Sequence, residues 1–148
     1  MFHARRSVVY KEYRYFIWNG PVLPPFHVRY RTHVRQRLDV GAMQTASEHL
    51  RGTHDFAAFT ANPNREVAST VRSLTTLNVN RRGHEITIIA GCNGFLYKMV
   101  RSLVGLLIRV GAGEVSPSTV GEILDSKIRT ARVPTAPPQG LFFWNVRY

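Results

Sequence analysis

Residues 95–111 read FLYKMVRSLVGLLIRVG. Phe95, Leu96, Met99, Val100, Leu103, Val104, Leu107 and Ile108 recur at the i, i+3, i+4, i+7 spacing of an amphipathic helix. At about 100° per residue they sweep roughly 220° of the circumference, a face broad enough to lie on a sheet. Lys98, Ser102, Gly105 and Arg109 fall on the remaining side and are expected to face water or a partner. Arg101 sits at the rim, beside Val104 and Ile108. A guanidinium held there requires a carboxylate, a phosphate or backbone carbonyls, because an unpaired buried charge is strongly destabilising.

On the N-terminal side of this helix, STVRSLTTLNVNRRGHEITIIAGC reads as two strands joined at Arg81-Arg82-Gly83. On its C-terminal side Gly111 and Gly113 close it, and SPSTVGEILDSK predicts a second helix with Ser116 as cap and Pro117 in the first turn. GLFFWNVRY alternates as a last strand. Nearer the start, VVYKEYRYFIW predicts a strand over residues 8–18, ended by the breakers of NGPVLPP. FHVRYRTHVRQR is basic and is expected to be an extended, partly exposed connection. LDVGAMQTASEHLRG predicts a helix capped by Asp39, with Met43 and Leu50 inward and Gly52 as its stop. HDFAAFTANPNRE reads as a loop anchored by Phe56 and Phe59. Strands and helices do not alternate strictly, so the fold class is α+β: an antiparallel sheet with helices packed on one face. No internal repeat breaks the chain, and its 148 residues suit a single domain, 1–148.

The formal net charge is +11, and seventeen of the twenty basic residues are Arg, only Lys11, Lys98 and Lys127 being lysine. Arg offers a planar fork for phosphates and a flat face for stacking on bases, so the balance points towards nucleic acid. The lone Cys92 allows no internal disulfide; it reads as a small buried hydrophobe in a reducing compartment. No apolar run approaches the roughly 20 residues of a membrane span. The Arg-rich start, with Glu12 its single acid, has the composition of an organellar transit peptide but alternates as a strand does. The expected location is intracellular, in the cytoplasm or an organelle such as the mitochondrion.

Several constellations fail as chemistry. His49 and His54 stand at a zinc-finger spacing without a cysteine pair, so no metal site is expected. VGAGE lies at a helix end and lacks the Lys-Ser/Thr of a phosphate loop. His54 and Asp55 are adjacent, and neighbours on one chain seldom aim at the same substrate atom.

Five segments, FHARRSVVYKEYRYFIWN, LDVGAM, GTHDFAAFT, FLYKMVRSLVGLLIRVGAGE and APPQGLFFWNVRY, stand in this order in TruA-type tRNA pseudouridine synthases. From Phe2 to Tyr148 the chain resembles that family. The resemblance implies an α+β fold built on a mixed, mainly antiparallel sheet, and isomerisation of uridine to pseudouridine in tRNA without metal or cofactor. It implies that Tyr13 lies against the target uracil, a candidate for proton transfer at C5, and that Arg101 pairs with the catalytic aspartate. It further implies tRNA as partner, and a homodimer or an N-terminal half as protein partner. The basic side chains themselves predict RNA binding through a surface including Arg5, Arg6, Arg14, Arg29, Arg31 and Arg35.

One departure governs the rest. The family's nucleophile lies in a segment of the type Gly-Arg-Thr-Asp-x-Gly-Val-His, which this sequence lacks; its only aspartates are Asp39, Asp55 and Asp125. Breaking the glycosidic bond and rejoining at carbon needs a group that captures an intermediate, so Tyr13 and Arg101 alone make a pocket rather than a catalyst. The chain is then expected to be the C-terminal half of a synthase, a noncatalytic RNA-binding descendant, or a protein that keeps the fold for assembly. If Arg101 exists to pair with a carboxylate from an absent N-terminal half, it is expected to be an orphan here, at the rim of the core.

Overall fold

The computed structural model describes residues 9–60 and 69–148. Its strands are β1 (Tyr10–Trp18), β2 (Thr32–His33), β3 (Gly52–Asp55), β4 (Val71–Arg82), β5 (Glu85–Cys92) and β6 (Leu141–Arg147). The helices are α1 (Val40–Leu50), α2 (Met99–Gly111) and α3 (Val120–Ser126). The sheet runs β2-β1-β5-β4-β3, with β6 also paired to β1. Every pairing is antiparallel except β1 with β2, giving the mixed, mainly antiparallel α+β fold that the resemblance implies; the residue pattern alone predicts only the antiparallel part.

Period-two alternation assigns the two faces of β1. Tyr15 and Ile17 are fully buried and, with Lys11 and Tyr13, point towards the helices. Tyr10, Glu12, Arg14, Phe16 and Trp18 occupy the other face. Leu74, Leu77 and Val79 of β4 join Ile86, Ile88, Ala90 and Cys92 of β5 beneath α1 and α2. Cys92 is fully buried and free, in keeping with its reading as a small hydrophobe.

Asp39 caps α1 as expected, its Oδ1 accepting from the Ala42 N–H at 3.1 Å. Met43 and Leu50 are fully buried, and a Cβ on Gly111 of α2 would come within 2.8 Å of Met43 Sδ, so the two helices meet at close range. The chain passes straight from α1 into β3 at Gly52, whose φ of +115° suits glycine alone. The short strand β3 is missed by the pattern, which places His54 and Asp55 in a loop. Phe56 and Phe59 are buried anchors as expected; residues 61–66 of that loop lie outside the described residues.

The β4–β5 hairpin turns at Gly83, with φ +63°. The basic connection before α1 is less loose than its sequence suggests. Asn19, buried, donates to the Val34 and Gln36 carbonyls at 2.7 Å each, and its Oδ1 receives Leu38 N–H and Arg81. Within that connection β2 pairs parallel with the end of β1.

The pivotal helix differs from expectation in two ways. It begins at Met99 rather than Phe95, because Lys98 adopts left-handed φ 57°, ψ 21° and breaks the helical path. Ser102 and Gly105, on the side predicted to face water or a partner, are both buried. The segment following α3 crosses that side: Pro134 lies so close that a Cβ on Gly105 would collide with its carbonyl oxygen. Ser116 forms no side-chain cap; its hydroxyl meets Ser118 Oγ at 2.9 Å, and a short 3₁₀ turn, Pro117–Thr119, leads into α3.

Candidate active site

Tyr13, on the helix-facing side of β1, and Arg101, in the first turn of α2, line the same cavity of about 180 Å³. Lys11, Phe95, Leu96, Lys98, Met99, Val100 and Leu141 complete its wall. The geometry follows from local structure. Lys11 and Tyr13 are two apart on one strand and therefore share a face. The turn before α2 brings Phe95 and Leu96 to them, and the exposed Lys98 joins the wall, its ammonium 5.3 Å from the Tyr97 ring centre.

Two edge-to-face contacts fix Tyr13. Its ring centroid lies 5.2 Å from Phe95 and 5.4 Å from Phe143, with interplanar angles of 83° and 80°. Rings so held leave little rotational freedom to a third. Among the described residues the Tyr13 hydroxyl has no hydrogen-bond partner.

Arg101 is not an orphan. Its Nε–H donates to the Ala136 carbonyl at 2.7 Å, and the Ala136 N–H donates back to the Arg101 carbonyl at 2.9 Å. Of the partners open to an arginine at a helix rim, the fold uses a backbone carbonyl. No carboxylate among the described residues lies within ion-pair distance of it. The wall therefore carries three cations, Lys11, Lys98 and Arg101, and no acid. Such a site favours an anion strongly.

The three aspartates are employed elsewhere. Asp39 caps α1, and Asp55 Oδ1 accepts from Ala57 N–H at 3.0 Å and Thr70 Oγ1 at 2.6 Å. Asp125 is exposed on α3. None lines the cavity. His54 turns its Nε2 to the Arg51 carbonyl at 2.8 Å, away from Asp55's partners.

The predicted RNA-contacting arginines divide. Arg5 and Arg6 lie outside the described residues. Arg29 and Arg35 are exposed. Arg14 pairs with Glu12 at 3.1 Å, and Arg31 with Glu85 at 3.2 Å; their guanidinium carbons sit 4.5 Å from the Trp144 and 4.4 Å from the Phe16 ring centres. Both stand on the sheet face opposite the cavity. Lys11 and Lys98 do not stand out in the sequence as site residues. The signal for Lys11 is its i, i+2 relation to Tyr13, whereas Lys98 requires knowledge of where α2 starts.

The sequence pattern of the family described as tRNA pseudouridine synthase matches residues 46–148, a span that holds Arg101. The chain belongs to the tRNA pseudouridine synthase family. A protein of Chlamydia trachomatis serovar L2b named tRNA pseudouridine synthase A is 44% identical over 147 residues, 99% of this chain and 55% of its own length. Namesakes in Brevibacillus brevis and Bacillus subtilis are 46% and 42% identical over the same share of the chain, and 60% and 59% of theirs. The likeness thus includes Tyr13. The chain spans somewhat over half the length of the curated relatives it matches, towards their C-terminal end. Among the described residues no helix is long and apolar enough to cross a membrane.

Proposed function

We propose that this chain supplies the tyrosine and arginine wall of a site converting uridine to pseudouridine in tRNA, with the nucleophilic carboxylate coming from outside its sequence. The observation that carries this is the cavity itself: Tyr13 and Arg101 on one wall, three cations, no acid. At about 180 Å³ it suits a single flat ring rather than a drug-sized ligand, for which pockets of roughly 300 Å³ or more are usual.

The reaction is an isomerisation, so atoms and electrons balance within the substrate. A carboxylate captures the sugar or the base, and the bond between N1 and the ribose carbon breaks. The uracil turns, C5 bonds to that carbon, the bond to the carboxylate breaks and returns it free, the C5 proton leaves and N1 gains a proton. Tyr13, braced by Phe95 and Phe143, is set to lie against the ring while it turns, with its hydroxyl available for the proton at C5. Arg101 is placed to grip the carboxylate by its terminal nitrogens, fixing the nucleophile. Lys11 and Lys98 face the phosphates that flank an extruded uridine.

The test is a fusion of this chain to the portion of the Brevibacillus relative that precedes the matched region, assayed on unmodified tRNA beside the chain alone. Pseudouridine from the fusion and none from the chain is the expected result. Modification by the chain alone, or an inactive fusion that still binds tRNA, overturns the reading. The latter outcome would instead mark a noncatalytic RNA-binding protein.

A further inference from the structure

Between α3 and β6 the backbone of residues 134–137 lies across α2 as a strap, held at four points. Gly105 admits it: with no Cβ, the helix lets the Pro134 carbonyl rest directly on its surface. Arg129 ties it, donating from one terminal nitrogen to the buried Ser102 hydroxyl at 2.7 Å and from the other to Thr135 Oγ1 at 2.8 Å. Tyr15 secures the far end, its hydroxyl donating to the Pro137 carbonyl at 2.6 Å. A phenol has one proton, so the 2.5 Å contact between Tyr15 and Thr32 hydroxyls runs from Thr32 to Tyr15. Between these points sits Ala136, bonded twice to Arg101.

This arrangement bears on the guanidinium. An arginine of the first helical turn has several rotamers open to it, and Arg101 is only partly buried. Its Nε–H is committed to Ala136, which leaves the two terminal nitrogens as a fork whose direction is set by where the strap lies. The same two elements serve both ends: β1 carries Tyr13 to the cavity and Tyr15 to the strap, while α2 carries Arg101 to the cavity and Gly105 to the strap.

We infer that the strap is a positioning device for Arg101, with Tyr15 and Gly105 as positioning residues that act through the Ala136 carbonyl. The inference rests on the reading of Tyr13 and Arg101 as a pseudouridine-forming wall. Tyr15→Phe removes one hydroxyl and keeps the ring. Gly105→Ala improves helix propensity and forces the strap away. Neither residue lines the cavity.

The experiment has two arms. In this chain, solvent exchange of the Arg101 Nε–H is followed by nitrogen-15 NMR; in the fusion described above, kcat and KM are measured on tRNA. Both substitutions are expected to speed Nε–H exchange. They are expected to lower kcat by about 10- to 100-fold, the scale of a misplacement near 1 Å, with KM for tRNA unchanged. A protected Nε–H in both folded variants, or an unchanged kcat alongside faster exchange, overturns the inference. An inactive unsubstituted fusion counts against the proposed function, and the exchange arm still decides whether the strap orients Arg101. Should Gly105→Ala fail to fold, Thr135→Val, which removes only the Arg129 tie, takes its place with the same expected directions.

Discussion

Arg14 lies over Trp144, its guanidinium carbon 4.5 Å from the ring centre, while its Nε reaches the Glu12 carboxylate at 3.1 Å. Much of its charge is therefore compensated before any RNA arrives. Arg29 and Arg35 are exposed and make no hydrogen bond or ion pair with the described residues. Binding to tRNA should then respond unequally. Replacing Arg29 or Arg35 with Gln is expected to reduce the slope of log affinity against log salt by roughly 0.7 to 0.9 for each phosphate no longer neutralised. Arg14→Gln should change it less. Filter binding across a salt series checks this, and equal slopes for all three variants would refute it.

Arg101→Met separates the observed partner from the orphan that the sequence leads one to expect. An unpaired rim charge would be removed at no cost, or with a gain. The bond from Arg101 Nε to Ala136 reverses that sign, because Met leaves the carbonyl without its donor. The expected loss is about 1 kcal/mol, or a midpoint lower by about 3 °C for a chain of this size. Thermal denaturation of this chain measures it; a midpoint that holds or rises would show the bond contributes nothing.

Much of this architecture is legible in the sequence because it follows from periodicity and breakers. The β4–β5 hairpin, the Asp39 cap and the inward Met43 and Leu50 are local consequences of local sequence. Tyr13 and Arg101 are recognisable through resemblance, and the cavity brings them together. What escapes the pattern is decided by distant chain. Ser102 and Gly105 are a polar and a small residue on a helix, which normally means solvent. Only the strap, some thirty residues further along and with no period of its own, turns that side into an interior. Strand β3 is hidden for a similar reason: GTHD carries no alternation, and its pairing with β4 makes it a strand. The late start of α2 depends on one backbone conformation, at Lys98, that lysine rarely adopts.

Alkaline pH should probe the Tyr15 anchor. Burial pushes its phenol above the ordinary value of 10.0, opposed in part by the Thr32 hydrogen bond and the Arg101 charge. A raised folded-state pKa means the folded chain holds the proton more tightly, so stability is intact below pH 10 and falls as pH rises from there towards the folded value. Burial raises the Cys92 thiol from 9.0 in the same direction, so the measurement belongs in a Cys92→Ala background. Urea midpoints between pH 8 and 11 should decline above about pH 10, and Tyr15→Phe should flatten that decline. An equal decline in both proteins would place the titrating group elsewhere.

Lys98 sets backbone strain against charge. Its φ of 57° at the start of α2 is left-handed, a conformation that costs a residue with a Cβ on the order of 1 kcal/mol. Its side chain forms no cap hydrogen bond that would offset this, and it lines the cavity beside Lys11 and Arg101. Lys98→Gly relieves the strain, partly offset by the greater freedom of glycine in the unfolded chain, so the denaturation midpoint should hold or rise slightly. The same change removes one of the three cations that line the cavity. Affinity for tRNA should drop, with the salt slope shallower by roughly 0.7 to 0.9, the share of a single phosphate. Lys98→Asn, which tolerates the left-handed region and is uncharged, should reproduce the weaker binding without depending on glycine. If both variants bind tRNA with an unchanged salt slope, Lys98 touches no phosphate, and its place in the cavity wall has a purely conformational origin.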